Sequence, residues 1–230
     1  MQKLEGFQYT TSLDINMGYF TIRLSPASQD TTKIVTEFGK FIYICLPMGL
    51  CSLGDIFQSK VDELLGDIEG VKTYIYDIIV LIKDSFENHI DQLIIILWRL
   101  RTAGLKVNAP KCSFGLNKIP YLGCVITREG IKPDPKKVQG IMDLRQTPTT
   151  TEARGLIGMV QYCRDMWLIR SHILATMTEA ANGPKYRKLL WNDALEISFK
   201  EPKRVVSAET LLSYTYWEMT FTVHTYASDK

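Results

Sequence analysis

Val71-Lys72-Thr73-Tyr74-Ile75-Tyr76-Asp77-Ile78-Ile79-Val80-Leu81-Ile82 is the stretch on which the reading of this chain turns. Almost every residue in it is β-branched, aromatic or leucine, a composition that favours strands over helix. It predicts two strands meeting at a tight turn, with Asp77 set into that turn. From Tyr74 onward it is the most apolar run of the chain, but it is far shorter than the roughly 20 residues a bilayer-spanning helix needs. With no signal-like apolar stretch at the N-terminus, the expectation is a soluble protein without a membrane partner.

Upstream, Thr10 to Leu24 reads as a strand entering a turn-rich segment, and Asp14 closes its strand-like start, Thr10 to Leu13. Two such strands side by side would bring Asp14 and Asp77 together. Paired carboxylates on converging strands suit a hard divalent cation, which takes oxygen ligands in a demanding geometry. A lone aspartate at a strand end is more often a turn former, so neither residue decides the matter without its surroundings.

Around these, Lys33 to Leu46 predicts a hairpin whose two runs are separated by Glu37-Phe38-Gly39-Lys40, and Leu53 to Leu65 carries a helical pattern. Ile90, Leu93, Ile94, Leu97 and Leu100 repeat at helical spacing as a core face, closed by Ala103-Gly104. Tyr121 to Thr127 reads as one short strand containing Gly123; Gly130, Pro133 and Pro135 then punctuate the chain before a helix from Lys136 to Leu144. Thr149-Thr150-Thr151-Glu152 has the form of a helix start ahead of Leu156, Ile157, Met159, Val160 and Met166. Asn182-Gly183-Pro184 marks a further boundary, followed by a helix over Asp193 to Ser207 and a strand over Met219 to Thr225. The order of strands, then helices, describes an α+β fold with a helical appendage, a layout that many functions share.

The 230 residues are 46% hydrophobic and 23% charged, with a formal net charge of +2, which excludes collagen-like and low-complexity classes. Cys45, Cys51, Cys112, Cys124 and Cys163 are odd in number and form no C-x-x-C pair, against a disulfide framework or zinc finger and in favour of a reducing, intracellular compartment. Between Arg101 and Arg145 the bases Arg101, Lys106, Lys111, Lys118, Arg128, Lys132, Lys136, Lys137 and Arg145 face only Glu129, Asp134 and Asp143. Such a strip can track phosphates or be an ordinary solvated face; both readings stay open on charge alone.

Several blocks in order carry a resemblance. Ser12-Leu13-Asp14-Ile15-Asn16-Met17-Gly18-Tyr19-Phe20-Thr21-Ile22-Arg23-Leu24 is similar to the first catalytic motif of gypsy-type LTR-retrotransposon reverse transcriptases. Leu46-Pro47-Met48-Gly49-Leu50-Cys51-Ser52 with Asp55-Ile56-Phe57-Gln58 resembles that family's template and nucleotide loop, and Tyr74 to Val80 falls where the family has Tyr-x-Asp-Asp. Gly104-Leu105-Lys106-Val107-Asn108 with Lys111-Cys112, Tyr121-Leu122-Gly123, and Glu129-Gly130-Ile131 follow at fitting distances. Gly158 to Trp167 resembles the thumb helix, and Trp191 with His224 to Asp229 the approach to the ribonuclease H domain.

The resemblance implies an RNA-directed DNA polymerase pol fragment. Its parts would be a palm with partial fingers over residues 1–126 (fingers insertion about 25–50), a thumb over 127–182, and a linker with the start of a ribonuclease H-like segment over 183–230. It implies two Mg2+ or Mn2+ ions held by Asp14, the carbonyl of Ile15 and Asp77, in two-metal nucleotidyl transfer. Tyr19, Met48 and Gly49 would meet the incoming deoxynucleoside triphosphate, Tyr19 excluding a 2′-hydroxyl. Leu122 and Gly123 would grip the primer end, and Gly158, Gln161 and Tyr162 would follow the minor groove of the RNA–DNA hybrid. RNA template and DNA primer are the implied partners, and a cytoplasmic virus-like particle the family's setting.

The chain departs from the pattern at Tyr76, which stands where the first aspartate of Tyr-x-Asp-Asp is expected. A phenol with an ordinary pKa near 10 is a poor magnesium ligand, and its bulk is expected to intrude on the ions. Asp77 would not replace it, since successive strand side chains face opposite ways. Tyr226 likewise stands where the ribonuclease H aspartate would be, and the fingers strands upstream of the first motif are expected to be missing. The expectation is a strongly impaired polymerase without RNA hydrolysis, the alternatives being a non-catalytic nucleic-acid-binding module or a decayed relic.

Overall fold

The hairpin expected from Val71 to Ile82 forms, with Ile75-Tyr76 as its turn and Asp77 paired to Tyr74 as a strand residue, not set into the turn, and the molecule is built around it. In the computed structural model, which describes residues 6–146, 149–162, 170–208, 211–214, 219–220 and 222–223, β1 (Tyr9–Asn16) leads through a 3-10 turn (Gly18–Thr21) and α1 (Pro26–Asp30) to the small hairpin of β2 (Ile34–Thr36) and β3 (Gly39–Phe41). Then come α2 (Leu53–Leu65), the hairpin of β4 (Val71–Tyr74) and β5 (Asp77–Ile82), and α3 (Phe86–Thr102). β6 (Lys106–Val107), a 3-10 turn (Ala109–Lys111), β7 (Ser113–Leu116), β8 (Lys118–Tyr121), β9 (Cys124–Thr127) and β10 (Ile131–Pro133) follow. Four helices complete the order: α4 (Pro135–Met142), α5 (Thr150–Tyr162), α6 (Arg170–Ala181) and α7 (Asp193–Ser207). The fold is α+β, as the order of elements implied.

The principal sheet runs β4-β5-β1-β6, with β7 also pairing with β1, and every pairing in it is antiparallel. β5 is covered on both faces, so Ile78 to Ile82 are all buried. That explains a run too apolar for a half-solvated strand. On one face Leu13 and Ile15 of β1 and Ile78, Val80 and Ile82 of β5 pack against Phe57, Val61 and Leu65 of α2 and Leu93, Ile96 and Leu100 of α3. On the other face Ile79 and Leu81 meet Ile119, Ile126 and Ile131 of the three-stranded sheet β10-β9-β8. A fully buried Leu or Ile contributes about 1.5–3 kcal/mol, so this double-sided strand is where the fold is anchored. The helices α4 to α7 enclose a separate cluster that includes Ile141, Leu156, Val160, Leu174, Met177 and Phe199.

The start of α5 has the chemistry its sequence suggested. Thr149 and Glu152 form a reciprocal capping box: the Thr149 amide donates to Glu152 Oε2 at 3.1 Å and the Glu152 amide to Thr149 Oγ1 at 3.4 Å. Asn192 caps α7, accepting from the Leu195 amide at 2.9 Å.

Other expectations need correcting. The single strand read over Tyr121 to Thr127 is a hairpin: Leu122 and Gly123 both have positive φ, 47° and 72°, the conformation of a two-residue turn between Tyr121 and Cys124. The β2–β3 turn is only Glu37-Phe38, because Gly39 and Lys40 pair with Thr36 and Val35. The helix read from Lys136 to Leu144 is Pro135–Met142, capped by Asp134. α3 buries His89, Leu93, Ile96 and Leu100, leaving Ile90, Ile94 and Leu97 exposed. β6, β7, β10 and α6 were not read from sequence. Of the strand expected at Met219–Thr225, the described residues Met219, Thr220, Thr222 and Val223 are exposed and form no strand, while Phe221, Cys163, Met166, Trp167 and His224 to Asp229 lie outside the described residues. No helix among the described residues is long and apolar enough to cross a membrane.

Candidate active site

Asp14 and Asp77 are direct cross-strand partners in the β1–β5 ladder. Residues opposite one another in an antiparallel pair put their side chains on the same face, so the carboxylates come together, as the sequence implied. The pair is held by main chain: the Ile15 amide donates to the Tyr76 carbonyl at 2.8 Å and the Asn108 amide to the Asp14 carbonyl at 2.8 Å. Burial, and next the charge of Asp14, push the Asp77 carboxyl above its ordinary range, with Lys111 acting the other way. Lys111 Nζ stands 3.7 Å from Asp14 Oδ2. Tyr121 lies on this side too, its phenol raised to about 12 by burial and then by the charges of Asp77 and Tyr74. Among the described residues no group of three His, Cys, Asp or Glu side chains converges.

The β4–β5 turn is held from beneath. Ile75 adopts φ 54°, a conformation that costs a β-branched residue on the order of 1–3 kcal/mol. Gln58 of α2 offsets it: its Oε1 accepts from the Ile75 amide at 2.6 Å, and its Nε2 donates to Thr73 Oγ1 at 3.0 Å and Asp62 Oδ1 at 2.8 Å. This explains why a half-buried Gln sits beside Phe57 on the side of α2 that faces the hairpin.

Tyr76 takes the face opposite to Asp77 and Asp14, so its bulk does not intrude on the carboxylate pair as the sequence suggested. Its ring joins an aromatic cluster 4.6 Å from Tyr19 and 5.2 Å from Phe57, between centroids. Its hydroxyl is buried with no hydrogen-bond partner, and burial, with Tyr19 alongside, holds the phenol above its ordinary range. Tyr19 is only 7% exposed and packs edge-on to Phe57 at 5.1 Å. Gly18, which the sequence did not single out, makes room for this packing: a Cβ there would lie 2.6 Å from Phe57 Cε2.

The other implied site residues fall in two places. Met48 and Gly49 occupy an exposed loop ahead of α2, Gly49 at φ 97° with open space above it. That loop is tethered by Leu46, whose amide donates to the Ile22 carbonyl at 2.9 Å. Leu122, Gly123 and Tyr162 do come together, the Tyr162 hydroxyl donating to the Leu122 carbonyl. Gly158 and Gln161 lie exposed on the same helix, Gly158 with open space beside it. Of the basic strip, Lys111 pairs with Asp14, Lys137 sits over Tyr162, and Arg128 donates to the Gln8 carbonyl at 2.6 Å and to Asn117 at 3.0 Å.

The family model for reverse transcriptase (RNA-dependent DNA polymerase) matches residues 1–126, the part that contains both aspartates and the whole principal sheet. The chain belongs to the reverse transcriptase family. Among its curated relatives, the retrovirus-related Pol polyprotein from transposon opus of Drosophila melanogaster is 28% identical over the full chain, and that from transposon gypsy of the same fly is 25% identical over 96% of it. The chain spans about a quarter of the length of these relatives, 24% and 22%. The gypsy-type retrotransposon resemblance read from the motifs therefore holds. Of solved structures, a foamy viral protease-reverse transcriptase in complex with RNA/DNA hybrid superposes with a TM-score of 0.84 over 92% of this chain and 29% of that one, at 20% identity. A second, in complex with dsDNA, superposes at 0.83 over the same share of this chain and 44% of that one, also at 20% identity. The chain shares its fold with both.

Proposed function

We propose that the chain is the polymerase part of a retrotransposon Pol protein, an RNA-directed DNA polymerase by descent that still presents a primer-template surface while its chemistry is strongly impaired. The observation that carries this reading is the in-register pair Asp14 and Asp77 on one face of the sheet, inside the segment that matches the family. Residues 1–126 act as palm with partial fingers, 127–182 as thumb, and 183–230 as linker and the start of a ribonuclease H-like segment.

The carboxylates fit a divalent cation. Two acids forced together, one with its pKa raised by burial and by its neighbour, form an anionic spot that a cation relieves. Asp14, Asp77 and the Ile15 carbonyl would hold Mg2+ or Mn2+. When bound, such ions lower the pKa of the attacking primer hydroxyl and neutralise the departing pyrophosphate. The residues of the chain do the rest. The β1–β5 backbone bonds fix the carboxylates; Gln58 fixes the turn; Met48 and Gly49 face the nucleotide and template; Leu122 and Gly123 hold the primer end; Gly158, Gln161 and Tyr162 lie along the minor groove of the hybrid. Tyr19 is the residue that would sense the sugar of a deoxynucleoside triphosphate.

Impairment follows from Tyr76. It supplies no carboxylate where the family pattern has one, and its ring covers Tyr19. Metal stabilisation is worth several kcal/mol and each ~1.4 kcal/mol is tenfold in rate, so polymerisation falls at least about a hundredfold. Nucleic-acid binding does not depend on that residue, which favours a second reading as a binding module. The foamy viral enzyme of the same fold was solved with RNA/DNA hybrid, and this supports a hybrid as partner here.

The test is a fluorescence-anisotropy titration with labelled RNA–DNA hybrid beside primer extension on the same substrate. The expected result is binding that weakens as salt rises, with extension barely above background. No binding at low salt by folded protein overturns the reading; efficient extension by the unaltered chain overturns the impairment.

A further inference from the structure

The β8–β9 turn, α4 and α5 meet at one point on the surface. Leu122 and Gly123 form the turn, and the Leu122 carbonyl accepts from the Tyr162 hydroxyl at the end of α5. The ammonium of Lys137, on α4, lies 3.2 Å from the centroid of the Tyr162 ring. Gly123 is the residue that permits this approach: a Cβ there would lie 2.6 Å from Tyr162 Cζ and would also collide with the Lys137 ammonium.

Two features separate this contact from ordinary core packing. Both side chains are exposed, Tyr162 at 47%, and neither belongs to the apolar cluster of the helices or to the one beneath the small sheet. The contact joins those two clusters at their surface. Its energy is small against that of the fold, yet a phenol fixed at its hydroxyl by one element and at its ring face by another can hold only one setting between them.

We propose that Lys137 is a positioning residue of the hybrid-binding surface: by seating the Tyr162 ring on the Leu122–Gly123 turn, it fixes the helix α5 and the turn in the one relative setting in which both meet a primer-template duplex. The proposal rests on the reading of Leu122, Gly123 and Tyr162 as nucleic-acid contacts. Lys137 acts through Tyr162, not as a phosphate ligand. A methionine keeps the aliphatic stem and removes the cation, whereas an arginine keeps a cation that stacks on an aromatic face.

Hybrid affinity is measured by anisotropy across a salt series for the 230-residue chain and for Lys137→Met, Lys137→Arg, Tyr162→Ala and the Lys137→Met/Tyr162→Ala double variant. Circular dichroism establishes that each is folded at the assay temperature. Lys137→Met should weaken binding about two- to fivefold, the equivalent of about 0.5–1 kcal/mol for an exposed cation–π contact. Lys137→Arg should recover most of it, Lys137→Met should add nothing once Tyr162 is alanine, and the salt slope should match that of the unaltered chain. Unchanged affinity in Lys137→Met overturns the proposal, as does a full additive loss in the double variant. A slope shallower by on the order of 0.9 also overturns it, because that marks a direct phosphate contact. If the unaltered folded chain binds no hybrid at low salt, the reading of the surface fails first and the proposal with it.

Discussion

Replacing Tyr76 by aspartate should move stability and activity in opposite directions. The ring gives up its contacts with Tyr19 and Phe57. Truncating a fully buried aromatic costs about 3–5 kcal/mol, but Tyr76 sits partly exposed at a turn, and losing its unpartnered hydroxyl returns about 1–3 kcal/mol. The packing loss is therefore about 1–3 kcal/mol. A carboxylate at this position faces Tyr19 and Phe57, away from Asp14 and Asp77, and its partial desolvation adds about another 1 kcal/mol when no cation is present. The sum is about 2–4 kcal/mol, and at roughly 2–4 °C per kcal/mol for a chain of this size the melting midpoint should fall by about 4–16 °C. Mg2+ or Mn2+ should recover more of that loss in the variant than it adds to the unaltered chain, since binding to the folded state alone stabilises it. Primer extension should rise at least about a hundredfold. Melting by circular dichroism with and without Mn2+, and extension of a DNA primer on RNA, are measured on the chain and on a version extended upstream with a relative's fingers segment. Extension that stays at background in a folded, hybrid-binding repaired protein refutes the role given to Tyr76. So do two well-ordered manganese ions at Asp14 and Asp77 in crystals of the unrepaired protein.

The other predictions concern the same architecture. Asp77→Asn should raise the melting midpoint near neutral pH while abolishing any residual extension: the folded carboxyl binds its proton more tightly than the unfolded one, so wild-type stability declines as pH rises above the ordinary Asp pKa, and the gain should vanish in acid below it. His89 is fully buried, with Nε2 2.8 Å from Thr11 Oγ1 and Nδ1 unpartnered, and burial lowers its pKa. Denaturant titrations should thus show full stability above pH about 6.5 and a loss as pH falls through that value, because only the unfolded chain takes up the proton there; a His89→Gln chain that keeps the same slope would contradict this. Gly18→Ala should cost about 1–3 kcal/mol in urea melts, since the Phe57 ring it would strike is 1% exposed and cannot turn away.

Part of the site was legible because its chemistry is local. The bounds of α2 and α7 are those the periodicity marked, Leu53–Leu65 and Asp193–Ser207. The β4–β5 hairpin follows from a run of residues that suit a pleated, doubly covered strand. Asp14 and Asp77 could be matched because each adjoins a strand-forming run, although β1 continues past Asp14 to Asn16 and Asp77 opens β5. In α3, however, two stripes compete: Ile90, Ile94 and Leu97 against His89, Leu93, Ile96 and Leu100. The spacing marks a face through Ile90, Leu93, Ile94, Leu97 and Leu100, of which the buried face keeps Leu93 and Leu100 and adds His89 and Ile96. On the buried face Thr11 of the facing strand offers His89 a partner, and Leu93, Ile96 and Leu100 join the main core, facts no single helix contains. The Leu122–Gly123 turn was misread for a related reason: only Gly123 signals a positive φ, and Leu122 reads as a strand residue until its neighbours force it over.

The sequence by itself determined which residues are strand and helix formers, that two aspartates adjoin strand-forming runs, and which family's motifs run through the chain in order. These are properties of neighbours along the backbone, where propensity, capping and spacing act. Only the tertiary structure decided which face each residue takes. Asp77 lies with Asp14 and Lys111 because of the β1–β5 register; Tyr76 lies with Tyr19 and Phe57 because α2 packs beneath; Lys137 reaches Tyr162 because Gly123 leaves room. Contacts between residues far apart in the chain depend on how whole elements pack, and that packing is set by the total burial of the fold, not by any short stretch of it.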